Sequence, residues 1–135
     1  ALMGFAAVVN ICPGFEYFMK FAMLMADKMN PYISAVIVTN VFSGITGSSS
    51  GGLRLMYQSL ADTFISSGCN LEILHRLTSI AAGGLDTLPH NGAVLTLLAV
   101  SNCTHKESYI DICITTCIIP LVSSLGLALI WGLFL

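Results

Sequence analysis

Residues 112–135 form one apolar run without a single charged side chain. A helix crosses the hydrocarbon core of a bilayer with about 20 apolar residues, so this run is long enough to cross alone. Trp131, near its far end, suits a membrane–water interface. We predict a full transmembrane helix over residues 112–135.

The scarcity of charge in the whole chain points the same way. Charged residues make up 9% of the 135 residues, and 56% are hydrophobic. Soluble domains carry about 25% charged residues, so this chain cannot cover a surface in water. We predict an all-α integral protein of the cytoplasmic membrane with several crossings. The net charge of −2 and the lack of a basic cluster indicate no nucleic-acid partner.

The residue patterns do not support an enzyme. The five cysteines include no CxxC pair and no zinc-ligand spacing. A P-loop is excluded because no lysine follows the glycines of residues 44–52. No nucleophile and base are suitably spaced, and we expect neither a cofactor nor a metal site.

Apart from residues 112–135, the apolar segments are short and are interrupted by glycine and proline, a pattern typical of transporter sites. The predicted order is the end of a span (1–15), an interfacial amphipathic helix (16–30), a re-entrant hairpin (31–69), a broken span (70–102) and the final span (112–135). We expect "CPG" at Cys12–Gly14 to end the first span. We also expect the chain to be the C-terminal portion of a longer permease, because it opens without an initiator Met or a basic leader.

Residues 16–30 place their charges on one side of a helix. Glu16, Lys20 and Asp27 fall within about 40° of each other at 100° per residue. Glu16 and Lys20 also stand in the favourable order for an i,i+4 pair. We predict a helix lying along the membrane interface, and the alternative is a tilted span with charged ends.

The stretch "GITGSSSGG", residues 44–52, interrupts the predicted hairpin. It follows an apolar arm and precedes a second arm, Leu53–Ser66, on which Arg54, Gln58 and Asp62 recur every four residues. Charges at membrane depth face protein or water rather than lipid, so we expect this stripe to face inward. The alternative for "SSSGG" is a flexible linker.

A second interruption, "GGLDTLPHNG" at residues 83–92, divides the predicted broken span. Asn70 is a suitable N-cap for its first half. That half carries a polar stripe in which Glu72 and Arg76 can pair at i,i+4. The second half covers residues 93–101. We expect His105 to lie in a solvated polar loop before the final span.

Both interruptions suit a binding site for an anion. Irregular backbone at membrane depth survives only inside protein or beside a water-filled cavity. The helix that starts after each interruption points free N–H groups and a positive dipole end at that cavity. Hydroxyl groups can bind a polar substrate there, and glycines allow its close approach. The predicted substrate-binding residues are Asn40, Thr46, Gly47, Ser48, Ser49, Ser50, Gly51, Gly52, Thr87 and Asn91.

His90 and Asp86 are the titratable residues of the second interruption. Ionisable groups inside a membrane mark ion pathways by default, and histidine changes charge near neutral pH. We predict that His90, or else Asp86, couples protons to transport. The structural alternative is that Asp86 caps a helix and His90 bonds to a carbonyl.

The stretches "NVFSGITGSSSGGL" (40–53) and "ILHRLTSIAAGGLDTLPHNGAVLTLLAVSNCTHKESYIDI" (73–112) resemble the C-terminal signature of the gluconate permease family. The resemblance runs from about Asn30 to the end and is most specific over residues 75–111. It implies proton-coupled symport of small hydroxy-carboxylates such as gluconate. It also implies two inverted repeats, of which this chain supplies the second, and a homo-oligomer.

Three points remain open alongside this resemblance. The resemblance also implies membership of the ion-transporter superfamily, whose usual Ser-Asn-Thr hairpin tip is replaced here by "TGSSSGG". Coupling to sodium is therefore an alternative to coupling to protons. An anion channel would use the same interruptions as a selectivity filter. The positive-inside rule and the superfamily pattern predict opposite orientations of the hairpin.

Overall fold

A computed structural model describes residues 12–134, and all its regular elements in that range are helical. They are α1 (Pro13–Lys28), α2 (Pro31–Thr46), α3 (Ser49–Ser66), α4 (Leu71–Ala82), α5 (Gly92–Ser101), α6 (His105–Ile112), a π-helical turn (Cys113–Ile118) and α7 (Ile119–Phe134). The predicted all-α class is confirmed for these residues.

Pro13 and Gly14, at the predicted end of the first span, are the first two residues of α1. Proline suits the first turn of a helix because its missing N–H would have no partner there. Residues 1–11 of the predicted span lie outside the described range.

Helix α2 is the centre of the fold, and it packs against α1, α3, α4 and α7. Most of its side chains are buried, as expected for a helix that is apolar nearly all round. One apolar cluster joins α2 to α3 around Phe42 and Leu55. A second cluster joins α2 to α4 and α7 around Val36, Leu77 and Ala128.

Asparagine side chains fix where helices begin. The Asn70 side chain accepts a hydrogen bond from the backbone N–H of Glu72 at 3.0 Å, which confirms the predicted N-cap. Asn30 accepts from the N–H of Tyr32 at 3.0 Å, and its amide donates to the carbonyl of Gly132 at 3.3 Å. Asn30 therefore joins the start of α2 to the end of α7.

The predicted hairpin, residues 31–69, consists of α2 and α3. We expected irregular backbone throughout residues 44–52, and this is wrong, because only Gly47 and Ser48 lie between the two helices. Gly47 has a φ of 57°, a left-handed conformation that glycine adopts without strain. The other glycines of the stretch belong to the helices and serve close packing.

The final helix is longer than predicted. His105–Leu133, 29 residues, is the only helix in the described range that is long and apolar enough to cross a membrane. The polar loop expected around His105 is absent, because Thr104 and Glu107 form a capping box that starts α6.

Pro120 explains the π-helical turn inside this long helix. Proline lacks an N–H, and its ring clashes with the carbonyl four residues earlier in a regular α-helix. The helix widens instead, and the Ile119 N–H bonds to the carbonyl of Ile114, five residues back. Such turns often occur at functional positions.

The polar stripe of α3, which we expect to face inward in the complete protein, is exposed in the described part of the chain. Arg54, Gln58 and Asp62 lie on the surface of the described part of the chain. The opposite face of α3 carries the buried residues that pack on α2. On α4 the predicted pair is confirmed, with Arg76 and Glu72 2.5 Å apart on the surface.

Candidate functional site

The hairpin tip, which we define as Thr46–Gly51, is built by local side-chain bonds. The Ser48 hydroxyl caps α3 by accepting from the N–H of Gly51 at 3.3 Å. The Thr46 hydroxyl lies 2.8 Å from the carbonyl of Phe42 and 3.0 Å from that of Ser48. These bonds fix the shape of the tip, in which only Gly47 and Ser48 lie outside a helix.

Asn91 joins the hairpin tip to the break, which we define as residues 83–91. Its amide nitrogen donates to the carbonyl of Gly47 at 2.8 Å and to that of Asp86 at 2.6 Å. Its oxygen accepts from the backbone N–H groups of Ala93 at 2.5 Å and Val94 at 3.1 Å, which caps α5. One buried side chain thus fixes the tip, the break and the start of α5.

His90 makes a second connection between these two segments. Its Nε2 lies 3.0 Å from the carbonyl oxygen of Gly44. A carbonyl can only accept, so the ring nitrogen donates, and both neutral and charged imidazole can do this. Gly47 lies close to the His90 ring, and a Cβ atom at Gly47 would be 3.2 Å from Cδ2 of His90. We call the group Gly44, Gly47, His90 and Asn91 the tip–break contact.

Asp86 lies at the start of α3. Its carboxylate interacts with the hydroxyl and the backbone N–H of Ser49, the first residue of that helix. A negative charge is favoured there because the first N–H groups of a helix are unpaired and its dipole is positive at that end. Asp86 therefore occupies the helix end at which a substrate carboxylate was expected.

Thr87 connects the break to the long final helix. Its hydroxyl lies 2.6 Å from the Thr116 hydroxyl and 3.1 Å from the Cys117 sulfur. The Tyr109 hydroxyl donates to the Thr87 carbonyl at 3.3 Å. Thr116 and Cys117 both belong to the π-helical turn, so that turn presents two polar side chains to the break.

Two buried polar atoms on α2 lie against glycines. Asn40 Oδ1 and Ser43 Oγ have no hydrogen-bond partner within the described part of the chain. A Cβ atom at Gly84 would collide with Asn40 Oδ1, and a Cβ atom at Gly52 would lie 2.5 Å from the backbone N of Ser43. These glycines allow the break and α3 to touch α2.

The predicted site residues divide into two groups. Gly47, Ser49, Asp86, His90 and Asn91 meet where the tip touches the break. The other group consists of residues that make contacts within the tip or behind it: Asn40, Thr46, Ser48, Ser50, Gly51, Gly52 and Thr87. Within that group, the Ser48 and Ser50 hydroxyls lie 3.2 Å apart on the surface of the tip.

Sequence reasoning missed the contribution of the final helix. Tyr109, Thr116 and Cys117 all contact Thr87, although none was predicted to belong to the site. Pro120 was the available signal, because a proline inside an apolar span perturbs the helix about one turn earlier. Ser43 was missed as well, and its contact with Gly52 has no sequence signal.

A surface groove in the described part of the chain lies away from these residues. It has a volume of about 440 Å³ between α4 and α7 and is lined by Ile73, Arg76, Leu77, Leu127 and Trp131, among others. None of the predicted site residues lines it.

The chain is similar to the uncharacterized transporter YxjC of Bacillus subtilis (strain 168). The two are 39% identical over 114 residues, which cover 81% of this chain and 24% of the relative. This chain therefore spans about a quarter of the length of that protein. No protein-family model matches the sequence, and no solved structure matches it.

Proposed function

We propose that this chain is part of a secondary active transporter in the cytoplasmic membrane that carries a small hydroxy-carboxylate, such as gluconate, together with protons. The observation that carries the proposal is the tip–break contact, in which two helix interruptions from separate segments meet. Transporters build their sites from interrupted helices of this kind. The transporter name of the Bacillus subtilis relative and the resemblance to gluconate permeases support the same class.

In this proposal the tip provides the substrate contacts. Ser48 and Ser50 have hydroxyls at the surface of the tip, where a polyhydroxy acid can exchange hydrogen bonds with them. Asn40, Gly52 and Thr87 support the site from behind. Asn40 contacts Gly84 of the break, Gly52 contacts Ser43 of α2, and Thr87 contacts the final helix.

Proton coupling follows because Asp86 and the substrate carboxylate are both attracted to the start of α3. Asp86 interacts with Ser49 there, and a substrate carboxylate attracted to the same helix end would meet a like charge. Protonation of either His90 or Asp86 makes the site less negative, so proton uptake and carboxylate uptake favour each other. His90 is the proposed proton carrier, because histidine changes charge near neutral pH and its bond to Gly44 survives protonation. Asp86 is the alternative carrier.

The proposed membrane arrangement follows the order of the helices. Helix α1 lies along the interface, α2 and α3 form a re-entrant hairpin, α4 and α5 form a broken span, and the final helix crosses the bilayer. An inverted repeat encoded outside this chain supplies the other half of the site. The complete protein is multi-pass and forms a homo-oligomer.

The test is exchange of labelled gluconate by the full-length protein in liposomes. We expect saturable counterflow that needs no sodium, and accumulation when the pH outside is lower than the pH inside. A strict need for sodium would favour the sodium-coupled alternative. Flux that neither saturates nor exchanges would indicate an anion channel. A failure to exchange any small hydroxy-carboxylate would refute the proposed substrate class.

A further inference from the structure

Arg54 is a charged residue on the hairpin that the tip–break contact does not use. It is exposed on α3, about one and a half turns after the start of that helix at Ser49. Among the side chains that the structure describes, no carboxylate lies within ion-pair distance of it, whereas Arg76 on α4 is paired with Glu72 at 2.5 Å. Asp62 is too far away to pair, about 12 Å along the helix axis at 1.5 Å per residue.

The tip has two sides, and Arg54 lies on the one that remains open. On one side, Gly44, Gly47 and Ser49 contact the break. On the other side, Ser50 is exposed and lies one turn before Arg54 on the same face of α3. Cα–Cβ bonds of a helix tilt toward its N-terminus, so the Arg54 side chain leaves α3 in the direction of Ser50.

We propose that Arg54 forms an anion subsite that binds the carboxylate of the substrate on the open side of the tip, beside the Ser48 and Ser50 hydroxyls. The inference rests on the proposed function and deepens it by naming the charge that selects acids over neutral sugars. Guanidinium binds carboxylate with two parallel hydrogen bonds. The hydroxyl pair, 3.2 Å apart, would serve the hydroxyl groups next to that carboxylate.

The subsite also explains why Asp86 can remain at the start of α3. The substrate carboxylate is held on the Arg54 side of the helix, while Asp86 interacts with Ser49 on the break side. The two negative charges are then close enough to influence each other without sharing the same N–H groups. An uncompensated arginine on a hairpin in a membrane is costly, and an anionic ligand offsets that cost.

The first test compares variants of the full-length protein in liposomes. Arg54→Gln should raise the gluconate concentration for half-maximal exchange about ten- to hundredfold, the usual effect of losing hydrogen bonds to a charged group. Arg54→Lys should raise it less, because the charge remains. Arg76→Gln, which removes a paired surface arginine, is the matched control and should leave it unchanged. A folded Arg54→Gln protein with wild-type affinity would overturn the subsite.

The second test needs no variant. Phenylglyoxal modifies exposed arginines, and modified peptides are identified by mass spectrometry. Gluconate, lactate, 3-hydroxybutyrate and succinate should be tried in turn, with glucitol as the neutral analogue. Protection of Arg54 but not Arg76 by at least one acid, and not by glucitol, supports the subsite. If an acid other than gluconate protects, the subsite stands and gluconate as substrate fails. If gluconate exchanges but no acid protects Arg54, the subsite is refuted and the transport function stands.

Discussion

At the scale of single residues, glycine serves two different purposes in this chain. Gly47 supplies a left-handed turn, whereas Gly52 and Gly84 supply space for Ser43 and Asn40. A side chain at Gly47 would be strained because the backbone there is left-handed. A side chain at Gly52 or Gly84 would collide with residues of α2. The two purposes lead to different consequences on substitution.

Gly52→Ala and Gly84→Ala should each destabilise the protein. The new Cβ would contact the Ser43 backbone or the Asn40 side chain, and overpacking typically costs about 1–3 kcal/mol. The measurement is the thermal midpoint of the full-length protein in detergent. Gly126→Ala is the control, because it lies in α7 with nothing within 4 Å of its Cβ position. Equal midpoints for all three variants would contradict the close packing.

Asn91→Asp separates the two uses of the Asn91 side chain. Aspartate still accepts from the N–H groups of α5 but cannot donate to the carbonyls of Gly47 and Asp86. We expect slower exchange and a loss of stability of about 1–3 kcal/mol, the cost of leaving buried carbonyls without a donor. Asn70→Asp is the matched control, since Asn70 caps α4 and is exposed. If both variants show the same exchange rate and the same stability, the donor bonds of Asn91 in the tip–break contact contribute to neither.

His90→Gln tests which group carries the proton. Glutamine can still donate to the Gly44 carbonyl but does not titrate, so exchange of labelled substrate should persist while accumulation driven by a pH gradient is lost. Asp86→Asn should have that effect only if Asp86 is the carrier. Uptake at wild-type levels with a pH gradient in both variants would show that the proton takes another route.

At the scale of helices, the sequence predicted interruptions better than it predicted their extent. The break was predicted at residues 83–92 and lies at 83–91, because Gly, Pro and Asn there all oppose a continuous helix. The first interruption was overestimated, because Gly44 and Gly52 look like turn residues but lie inside helices. Their partners are set by tertiary packing, which one sequence does not reveal.

Helix α6 was missed for a different reason. Charged residues at 105–107 suggested a loop, whereas "THKE" at residues 104–107 is the capping-box pattern of a helix start. That signal was present in the sequence. The outward position of Arg54 could not be predicted, because a polar stripe looks the same whether it faces a neighbouring helix, a cavity or a substrate.

At the scale of the whole molecule, the described part of the chain provides one helical hairpin, α2 and α3, and two helices, α4 and α5, separated by the break. The relative from Bacillus subtilis is about four times as long as the region it shares with this chain. If the proposed site needs both repeats, residues 1–135 expressed alone should insert into membranes but exchange no gluconate. Flotation with liposomes measures insertion, and counterflow measures exchange. Saturable exchange by this portion alone would contradict the two-repeat architecture.

The tip–break contact also has an electrical consequence. The Asn91 amide and the carbonyls of Gly47 and Asp86 carry no net charge, so breaking their hydrogen bonds moves no charge through the bilayer. A membrane potential acts on charge, at about 2.3 kcal/mol per elementary charge for each 100 mV. Voltage therefore does not favour either state of these bonds. In a cycle that pairs one proton with one monocarboxylate, transport would be electroneutral, and the pH and substrate gradients alone would set its direction.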